Sequence, residues 1–343
     1  MSTYERYLQD KAQFLNDQLA QIDCDHLCAR IRPSSFENGY RNRAKFKIFS
    51  LAERPVLRGT DPQKGEVDAH KMLWILPDWG RDIVIRSFEL ISLYYSKFPV
   101  DGFEIQLTHG NQKAHLTLSV SRIHRQTYEE LAQKLLAEIK ALAGIAVPSQ
   151  KQVFGETELY HELLGEVFQA HYSAFFQSNL GLTPELLREV KTILSNRLFS
   201  GICDLYCGVG LFSLSVGKTS APILGIDSQR RSIESATHNA LQRGFSKAEY
   251  TCKDVQEYFS EAEIMSDDLL IFDPPRSGCP AHVLEQAASS EFSLCLMVSC
   301  SLQTQVRDIA LLQKRGFKVV SLAAFDMFPF TKYLETVALL LRK

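Results

Sequence analysis

The sequence predicts an α/β protein whose C-terminal half is a doubly wound, largely parallel sheet of seven strands. The length of 343 residues suits about two domains of roughly 150 residues each. From Leu182 onward, short apolar strands alternate strictly with helical segments, which is typical of parallel α/β sheets. The first half mixes both patterns. We therefore place an α+β domain at residues 1–165 and the α/β domain at residues 166–343.

In the first half, apolar periodicity and turn residues predict the elements one by one. Apolar residues recur at helical spacing over residues 4–19, which indicates an amphipathic opening helix. Over residues 44–51, apolar and basic side chains alternate, as in a half-buried strand. The remaining elements are a hairpin of strands 103–107 and 116–120 around His109-Gly110-Asn111, and a helix opened by a capping box of Thr127 and Glu130.

The second half opens with a helix, for which Thr183 would be the N-cap and Pro184 the first residue. Seven strands are predicted after it, each of them a short apolar run. They cover residues 202–205, 223–226, 248–252, 269–272, 294–298, 318–322 and 337–341. The last two leave no room for a long crossover helix, so we expect the final strand to be antiparallel.

Composition and charge exclude several classes of protein. With 45% hydrophobic and 23% charged residues, the chain resembles an ordinary globular protein rather than a disordered or fibrous one. The 38 Lys and Arg residues nearly balance the 40 Asp and Glu residues, so the total charge indicates no nucleic-acid partner. No signal-peptide core and no membrane helix are visible. We therefore expect a cytoplasmic protein that binds no membrane.

The eight cysteines are spread along the chain, which favours reduced thiols in a cytosolic enzyme. Cys24 with Cys28, and Cys203 with Cys207, have spacings that each suit half of a zinc or iron–sulfur site. The second pair lies inside a strand-to-loop motif that has another explanation. We therefore expect no metal site.

A cofactor site is predicted where the first strand of the second half ends. Gly208 and Gly210, in the run Asp204-Leu205-Tyr206-Cys207-Gly208-Val209-Gly210, would let a ligand approach the backbone at a helix N-terminus. Asp227 ends the next strand, where a carboxylate accepts hydrogen bonds from ribose hydroxyls. The third glycine of a dinucleotide motif is missing, so S-adenosylmethionine, which has no phosphate, fits better. Asp254, after the third strand, would contact the adenine edge or cap a helix.

Three chemistry-bearing residues belong to the same edge of the predicted sheet. Asp273 follows the fourth strand, and the two prolines after it make a rigid extended turn at the edge where α/β sheets bind ligands. Cys300 follows the fifth strand and Glu335 precedes the last one. Taken alone, Cys300 is typical of a buried inert thiol and Glu335 of a solvated charge. Together with the glycine loop and Asp227, the Asp273 turn favours a methyltransferase over a dehydrogenase.

In this order, the motifs resemble those of the S-adenosylmethionine-dependent RNA uracil-5-methyltransferases, which make 5-methyluridine in tRNA and rRNA. The resemblance runs from about Gly39 to the C-terminus and is strongest from Phe175 onward. Its blocks are YRNRAK at 40–45, FFQSN at 175–179, DLYCGVG at 204–210, DPPRSG at 273–278, VSC at 298–300 and DMFPFTKYLE at 326–335. It implies a Rossmann-like methyltransferase domain at residues 166–343 and an RNA-binding domain at residues 1–165.

The resemblance implies roles for six residues. They are the nucleophile Cys300, the base Glu335, and the cofactor and active-site contacts Gln177, Tyr206, Asp227 and Asp273. The sequence departs from the family pattern at Ser301, where an asparagine is usual, at Phe330 and Tyr333, which replace histidines near the base, and at Leu211, which replaces a polar residue. None of these departures removes a reacting group.

The implied chemistry requires these residue types. Uracil C5 is a poor nucleophile, and attack of a thiolate on C6 makes an enolate with electron density on C5. After methyl transfer, a carboxylate must remove the C5 proton so that the thiol can be eliminated. Because the thiolate attacks the face of the ring, the uridine must be flipped out of its stack.

An RNA partner needs basic surface, and the first half contains a local concentration of it. Strand alternation places four basic side chains on one side, and we call them the basic strand: Arg41, Arg43, Lys45 and Lys47. A phosphate backbone suits such a row, although a solvated face is the common alternative. We interpret the basic strand as an RNA-binding surface.

The sequence leaves the RNA class and some alternatives open. The chain has no room for an extra RNA-binding barrel before Tyr40 and lacks four N-terminal cysteines for a cluster, as in tRNA-directed members. FFQSN, VSCSLQT and DMFP look more like rRNA-directed members, so we slightly favour 23S rRNA, and we expect a monomer. The alternatives are a tRNA enzyme, a non-catalytic RNA-binding protein, an amino-group methyltransferase and a 5-methylcytosine enzyme.

Overall fold

The computed structural model describes residues 2–24, 30–51, 54–61, 64–121, 127–261, 269–290 and 292–342. The chain divides into two compact units. Unit 1 comprises Met1–Ser35, Ser173–Phe176 and Gly181–Lys343, and unit 2 comprises Phe36–Tyr172 and Gln177–Leu180. These two units do not coincide with two consecutive domains that meet between residues 165 and 166. One reason is that the N-terminal helix packs into the core of unit 1.

The described elements, numbered in chain order, follow. The helices are α1 (Thr3–Leu19), α2 (Ala69–Trp74), α3 (Asp78–Leu93), α4 (Glu129–Glu138), α5 (Leu182–Leu194), α6 (Leu211–Val216), α7 (Arg230–Gln242), α8 (Val255–Glu261), α9 (Ala281–Ser289) and α10 (Leu302–Lys314), with a 3₁₀ turn at Pro148–Gln150. The strands are β1 (Ile31–Arg32), β2 (Arg43–Leu51), β3 (Arg54–Asp61), β4 (Gly65–Asp68), β5 (Gly102–Leu107), β6 (Ala114–Ser119), β7 (Leu142–Val147), β8 (Gln152–Gly155), β9 (Glu158–Leu163), β10 (Glu166–His171), β11 (Ile202–Leu205), β12 (Ile223–Asp227), β13 (Ala248–Cys252), β14 (Leu269–Phe272), β15 (Leu294–Ser299), β16 (Phe317–Phe325) and β17 (Glu335–Arg342). Among the described helices, none is both long and apolar enough to cross a membrane.

Unit 1 is built on one sheet with the strand order β1-β16-β17-β15-β14-β11-β12-β13. The seven strands predicted from the second half are confirmed. Strands β11 to β15 are parallel to their neighbours within that group, and β17 is antiparallel to β15 and β16, as expected. The two-residue strand β1, which was not predicted, adds an eighth member parallel to β16.

The centre of this sheet is apolar on both faces. Every residue of β11, β14 and β15 is buried, which explains why these strands, apart from Asp204 and Ser299, are apolar runs rather than alternating ones. The direction of strand order reverses at β11, between its neighbours β14 and β12. In α/β sheets, ligands bind beside the carboxyl ends of the strands at such a reversal.

Helix α1 begins at a capping box and packs along one stripe. The Ser2 side chain accepts a hydrogen bond from the Glu5 backbone N–H, and the Glu5 carboxylate accepts one from the Ser2 N–H, which satisfies two donors at the helix start. Leu15 and Leu19 join the hydrophobic core of unit 1. The amphipathic opening helix is therefore confirmed.

Unit 2 has a seven-stranded sheet in the order β4-β3-β2-β5-β6-β7-β8 and a separate β9–β10 hairpin. The predicted strand at 44–51 is β2, with Phe46 and Ile48 buried. The predicted hairpin is β5–β6, which pairs in antiparallel register. Apolar side chains of these strands and of α3 and α4 form one core.

Two predicted helix starts are wrong. Helix α4 begins at Glu129 without a capping box; the Thr127 hydroxyl accepts a hydrogen bond from the Glu129 N–H instead. The fully buried Tyr128 at the cap position donates its hydroxyl to the Pro99 carbonyl, and tertiary packing therefore sets this start. Helix α5 begins at Leu182, so Pro184 is its third residue, where a missing N–H also costs no helical hydrogen bond.

Candidate active site

The loop between β11 and α6 is a tight turn, and the space next to Gly208 on one side of it is open. Tyr206, Gly208 and Gly210 all have positive φ, at 65°, 53° and 79°. A Cβ on Gly210 would lie 2.9 Å from the Tyr250 hydroxyl oxygen, whereas a Cβ on Gly208 would meet nothing within 4 Å. Gly210 is therefore required by packing and conformation. Gly208 leaves its side of the loop open, as a closely approaching ligand needs.

Asp227 holds this loop in place. Its carboxylate accepts a hydrogen bond of 3.1 Å from the Gly208 N–H and one of 2.7 Å from the Gln229 N–H. Burial nevertheless raises the pKa of Asp227, against the opposing effect of these two hydrogen bonds. The carboxylate predicted to bind ribose thus lies at the glycine loop.

Three carboxylates gather at the carboxyl ends of β11, β12 and β14, and we call Asp204, Asp227 and Asp273 the carboxylate cluster. Burial raises the pKa of Asp273 to about 8, and the charges of Asp204 and Asp227 add to the effect. Burial likewise raises the pKa of Asp204 to about 7. Among the described residues, Asp204 Oδ1 has no hydrogen-bond partner. Such a cluster is costly without a cation beside it.

The register of β15 and β17 brings Cys300 and Glu335 together. Ser299 pairs with Thr336 in this antiparallel ladder; Cys300 directly follows β15, and Glu335 is the first residue of β17. Burial, with the charges of Glu335 and Asp273, raises the pKa of the Cys300 thiol to about 12. Burial, followed by the charge of Asp273, raises the pKa of Glu335 well above its usual range. With this pKa, the Cys300 thiol is protonated at neutral pH.

Arg276 is the positively charged residue beside Cys300, Glu335 and Asp273. It belongs to the DPPRSG motif, which predicted no role for it. It donates a hydrogen bond to the Cys300 sulfur and lowers the pKa of that thiol and of Glu335. Its guanidinium lies 4.4 Å from the centre of the Tyr333 ring, a distance suited to a cation–π contact. Its position three residues after Asp273 was the available signal.

A buried clamp holds the loop that leads to Glu335, and we define it as Lys11, Asp326 and Tyr4. Lys11 forms an ion pair with Asp326, both less than 5% exposed, and donates a 2.7 Å hydrogen bond to the Tyr333 carbonyl. The Tyr4 hydroxyl donates to the second Asp326 oxygen at 2.6 Å. Phe330 packs against the Tyr4 ring at 5.5 Å. No sequence motif indicated this clamp.

The other predicted cofactor contacts, Gln177 and Asp254, have structural partners. Asp254 accepts a 2.8 Å hydrogen bond from the Gln256 N–H at the start of α8, which is the helix-cap alternative. Gln177 is buried in unit 2, and its backbone carbonyl accepts a 3.0 Å hydrogen bond from the Asn42 side chain. The roles of both residues in cofactor binding stay predictions.

The basic strand has the predicted alternation over its β2 portion. Lys45 and Lys47 are exposed, and Arg43 is half-buried on the same face. Arg43 forms an ion pair with Glu104, so part of its charge is compensated. Arg41 precedes β2 and bridges to Asn179. Lys45 and Lys47 are therefore the exposed charges of the basic strand, and its role in RNA binding stays a prediction.

Of the first cysteine pair considered for metal binding, the structure describes only Cys24, which has a structural contact. Cys24 is buried, and its thiol donates a hydrogen bond to the Leu19 carbonyl. Cys28 lies outside the described residues. Within the described ranges, no group of three or more His, Cys, Asp or Glu side chains could hold a metal ion.

The known proteins to which this chain is similar include RNA methyltransferases. A family model described as tRNA (uracil-5-)-methyltransferase matches residues 115–343. An uncharacterized RNA methyltransferase of Thermotoga maritima is 31% identical over 192 residues, which are 56% of this chain and 44% of that protein. The 23S rRNA (uracil(1939)-C(5))-methyltransferase RlmD of Pseudoalteromonas translucida is 31% identical over 53% of this chain and 42% of its own length. The matches to these relatives thus span less than half of each relative.

Two further comparisons extend over the whole chain. The 23S rRNA (uracil(747)-C(5))-methyltransferase RlmC of Xenorhabdus nematophila is 24% identical over 99% of this chain and 94% of its own. A crystal structure of Pyrococcus abyssi tRNA (uracil-54, C5)-methyltransferase with S-adenosyl-L-homocysteine has a TM-score of 0.78 at 20% identity, over 99% of this chain and 84% of that chain. The latter likeness shows a shared fold.

Proposed function

The chain belongs to the tRNA (uracil-5-)-methyltransferase family, and from that premise we propose that it transfers a methyl group from S-adenosylmethionine to C5 of a uridine in RNA. The observation that supports this activity best is the adjacency of Cys300 and Glu335 across the β15–β17 ladder, beside Asp273 and Arg276. A thiol nucleophile and a carboxylate base are the two groups that methylation at uracil C5 needs.

The carboxylate cluster fits S-adenosylmethionine, which carries positive charge on its sulfonium and on its ammonium group. Cations beside Asp204 and Asp273 would offset the cost of burying these carboxylates. Asp227 is placed to accept hydrogen bonds from ribose hydroxyls, and Tyr206, Gly208 and Gly210 form the loop against which the adenosine would lie. When bound, the cofactor supplies an electrophilic methyl group.

The residues of the chain then perform the proton and bond changes on the uridine. Cys300 first releases its thiol proton to solvent in the cavity that it lines, and Arg276 stabilises the resulting thiolate. As the sulfur bonds to C6 of the flipped base, the electron pair of the C5–C6 double bond moves toward C5, the carbon that receives the methyl group. After C5 is methylated, the Glu335 carboxylate accepts the C5 proton, and the bond between C6 and sulfur breaks. Because burial raises the pKa of Glu335 while Arg276 lowers it, the carboxylate, once ionised, is a stronger base than an exposed glutamate.

We favour 23S rRNA over tRNA as the substrate. The RlmC relative, named for 23S rRNA uracil 747, matches along nearly its whole length. The segments FFQSN, VSCSLQT and DMFP of this chain also resemble the sequences of rRNA-directed members more than those of tRNA-directed members. Both observations are sequence similarities to other proteins. Analysis of the methylated product therefore decides between the two substrates.

The test is methyl transfer from labelled S-adenosylmethionine into rRNA and tRNA isolated from cells that lack the gene, followed by nucleoside analysis. We expect labelled 5-methyluridine in 23S rRNA. Label in 5-methylcytosine or in an exocyclic amino group would replace the proposed reaction by one of the alternatives. No label in any RNA would favour a non-catalytic RNA-binding protein.

Asp227→Ala is expected to weaken cofactor affinity by about 10-fold to 100-fold, because charge-assisted hydrogen bonds to ribose would be lost. RNA affinity should change little. Calorimetric titration with S-adenosylmethionine measures the effect, with Glu234→Ala on the exposed surface of α7 as the control. Equal cofactor affinity in the wild type and Asp227→Ala would contradict the assignment.

Cofactor affinity is expected to rise with pH. Asp273, with a pKa near 8, is mostly protonated at pH 7 and becomes ionised above pH 8, and only the ionised form attracts a cation. Affinity should therefore increase by up to about tenfold per pH unit between pH 6 and pH 8. Calorimetry across this range checks it, and Asp273→Asn should show a shallower dependence. An affinity that falls with rising pH would refute this account.

The double reversal Lys45→Glu/Lys47→Glu is expected to weaken RNA binding and to reduce its salt dependence. Each lost phosphate contact should lower the slope of log K against log salt by roughly 0.7 to 0.9. Filter binding at several salt concentrations measures both quantities. Lys71→Glu/Lys140→Glu, two exposed lysines outside β2, serves as the matched control. If both double variants have the wild-type slope, the basic strand is a solvated face.

A further inference from the structure

A cavity of about 270 Å³ lies beside Cys300 in unit 1. Helix α1, the first turn of α10 and the loop before β17 form its walls. The lining is mostly apolar and includes Tyr7, Phe14, Leu302 and Tyr333 together with Cys300, and we call the cavity the α1 pocket. Within the described residues, neither the carboxylate cluster nor the glycine loop lines it. The α1 pocket is therefore distinct from the proposed cofactor site.

The position of the α1 pocket restricts what it can hold. In the proposed reaction, uracil C6 is bonded to the Cys300 sulfur, so the neighbouring nucleotides are tethered within one nucleotide of this cavity. Flipping the target base out of its stack also leaves its neighbours without a stacking partner. Proteins that bind single-stranded RNA commonly place such bases against aromatic side chains, and Tyr7, Phe14 and Tyr333 offer them here.

The size and polarity of the pocket suit one base. Its volume of about 270 Å³ is just below the roughly 300–1,000 Å³ of clefts that hold small organic ligands, so it suits an occupant about the size of a single heterocycle. Three exposed polar side chains, Asp10, Gln303 and Lys332, stand at its rim. The Gln303 amide can hydrogen-bond a base edge, and the Lys332 ammonium can contact a phosphate.

We infer that the α1 pocket receives the nucleobase of a nucleotide adjacent to the target uridine, an inference that rests on the proposed function. Helix α1 is then part of the RNA-binding surface and contributes to the choice of uridine. The enzyme holds a neighbouring base by stacking, and the Gln303 amide at the rim can distinguish its edge, while Cys300 and Glu335 act on the target base.

The experiment compares pocket variants on RNAs that lack one neighbouring base. The uridine that the wild type modifies is first mapped, and synthetic RNAs spanning it are made with an abasic nucleotide on the 5′ or the 3′ side. Phe14→Ala removes a pocket wall, and Gln303→Trp fills the cavity from an exposed position without deleting a core residue. Gln13→Ala, an exposed neighbour on α1 outside the pocket, is the matched control. Thermal melting verifies that each variant folds.

In the wild type, one of the two abasic RNAs should reduce kcat/KM by about 10-fold to 100-fold. Phe14→Ala and Gln303→Trp should lose a similar factor on intact RNA, and the abasic substitution should then cost them less than about threefold more, since the same contact is already gone. The KM for the cofactor should be unchanged, and Gln13→Ala should match the wild type.

The possible failures are distinguishable. If the active wild type tolerates an abasic nucleotide on both sides, or if the effects of variant and abasic RNA multiply, the α1 pocket does not hold a neighbouring base. If the variants change only the preference for the target base itself, the pocket belongs to that base and the inference is wrong. If the wild type methylates no RNA at all, the proposed function fails, and the inference fails with it.

Discussion

Cys300→Ala is expected to abolish methyl transfer, with a loss of at least about 1,000-fold in kcat, and to form no covalent adduct with RNA, because the proposed nucleophile that attacks uracil C6 is then missing. Glu335→Gln should fail at a later point. The amide keeps the size of the side chain but cannot accept the C5 proton, so attack and methylation proceed and elimination stalls. This variant should accumulate a denaturant-resistant protein–RNA adduct that carries the transferred methyl group.

A denaturing gel with labelled RNA and labelled S-adenosylmethionine separates these outcomes. Cys252→Ala removes an exposed thiol and serves as the control, with turnover expected to remain. Arg276→Met should slow adduct formation itself, since the thiolate would lose the cation that stabilises it. Normal turnover by Glu335→Gln, or adduct formation by Cys300→Ala, would show that the assigned pair is wrong.

Breaking the clamp should be the most destabilising change among the polar residues of α1. Lys11→Met leaves the fully buried Asp326 carboxylate without its cation, and Asp326→Asn leaves the buried ammonium without its anion. Removing one partner of a buried ion pair typically costs about 3–5 kcal/mol of unfolding free energy. The double variant Lys11→Met/Asp326→Asn should lose less than the sum of the two single variants, because no buried charge is then left unpaired.

Urea unfolding of the four proteins gives this double-mutant cycle. Lys97→Met, which disrupts the exposed Lys97–Glu130 pair, is the control and should alter stability little. The clamp also fixes the carbonyl of Tyr333, two residues before Glu335. The folded fraction of Lys11→Met should therefore have a reduced kcat. Additive effects in the cycle would indicate that the two side chains contribute independently.

The sheet of unit 1 was predictable because its strands are buried on both faces. Runs such as Leu269–Phe272 are wholly apolar, and a continuous apolar run bounded by turn residues has few alternatives. The helix starts were less predictable. At Glu129 the burial of Tyr128, a tertiary contact, overrides the local capping signal. Strand β1, with two residues, has too little pattern to be detected.

The proposed reacting residues, Cys300 and Glu335, could be found from their motifs, whereas their electrostatic state could not. The raised pKa of Cys300 follows from burial and from Glu335 and Asp273, and these groups converge only in the folded sheet. Lys11 and Asp326 are separated by 315 positions, and neither belongs to a recognisable pattern with the other. Arg276 was visible in its motif, but its contact with Tyr333 was not.

The clamp has a consequence for how the chain folds during synthesis. Unit 2 is formed almost entirely by the contiguous stretch Phe36–Tyr172, so most of its contacts are available early. Lys11 must wait for Asp326, 315 positions later, which at about 5–20 residues per second is a delay of roughly 15–60 s. During that interval the apolar stripe of α1 has no native partner and is exposed to aggregation and to chaperones. Emergence of β16 and β17 from the ribosome is therefore the event that completes unit 1.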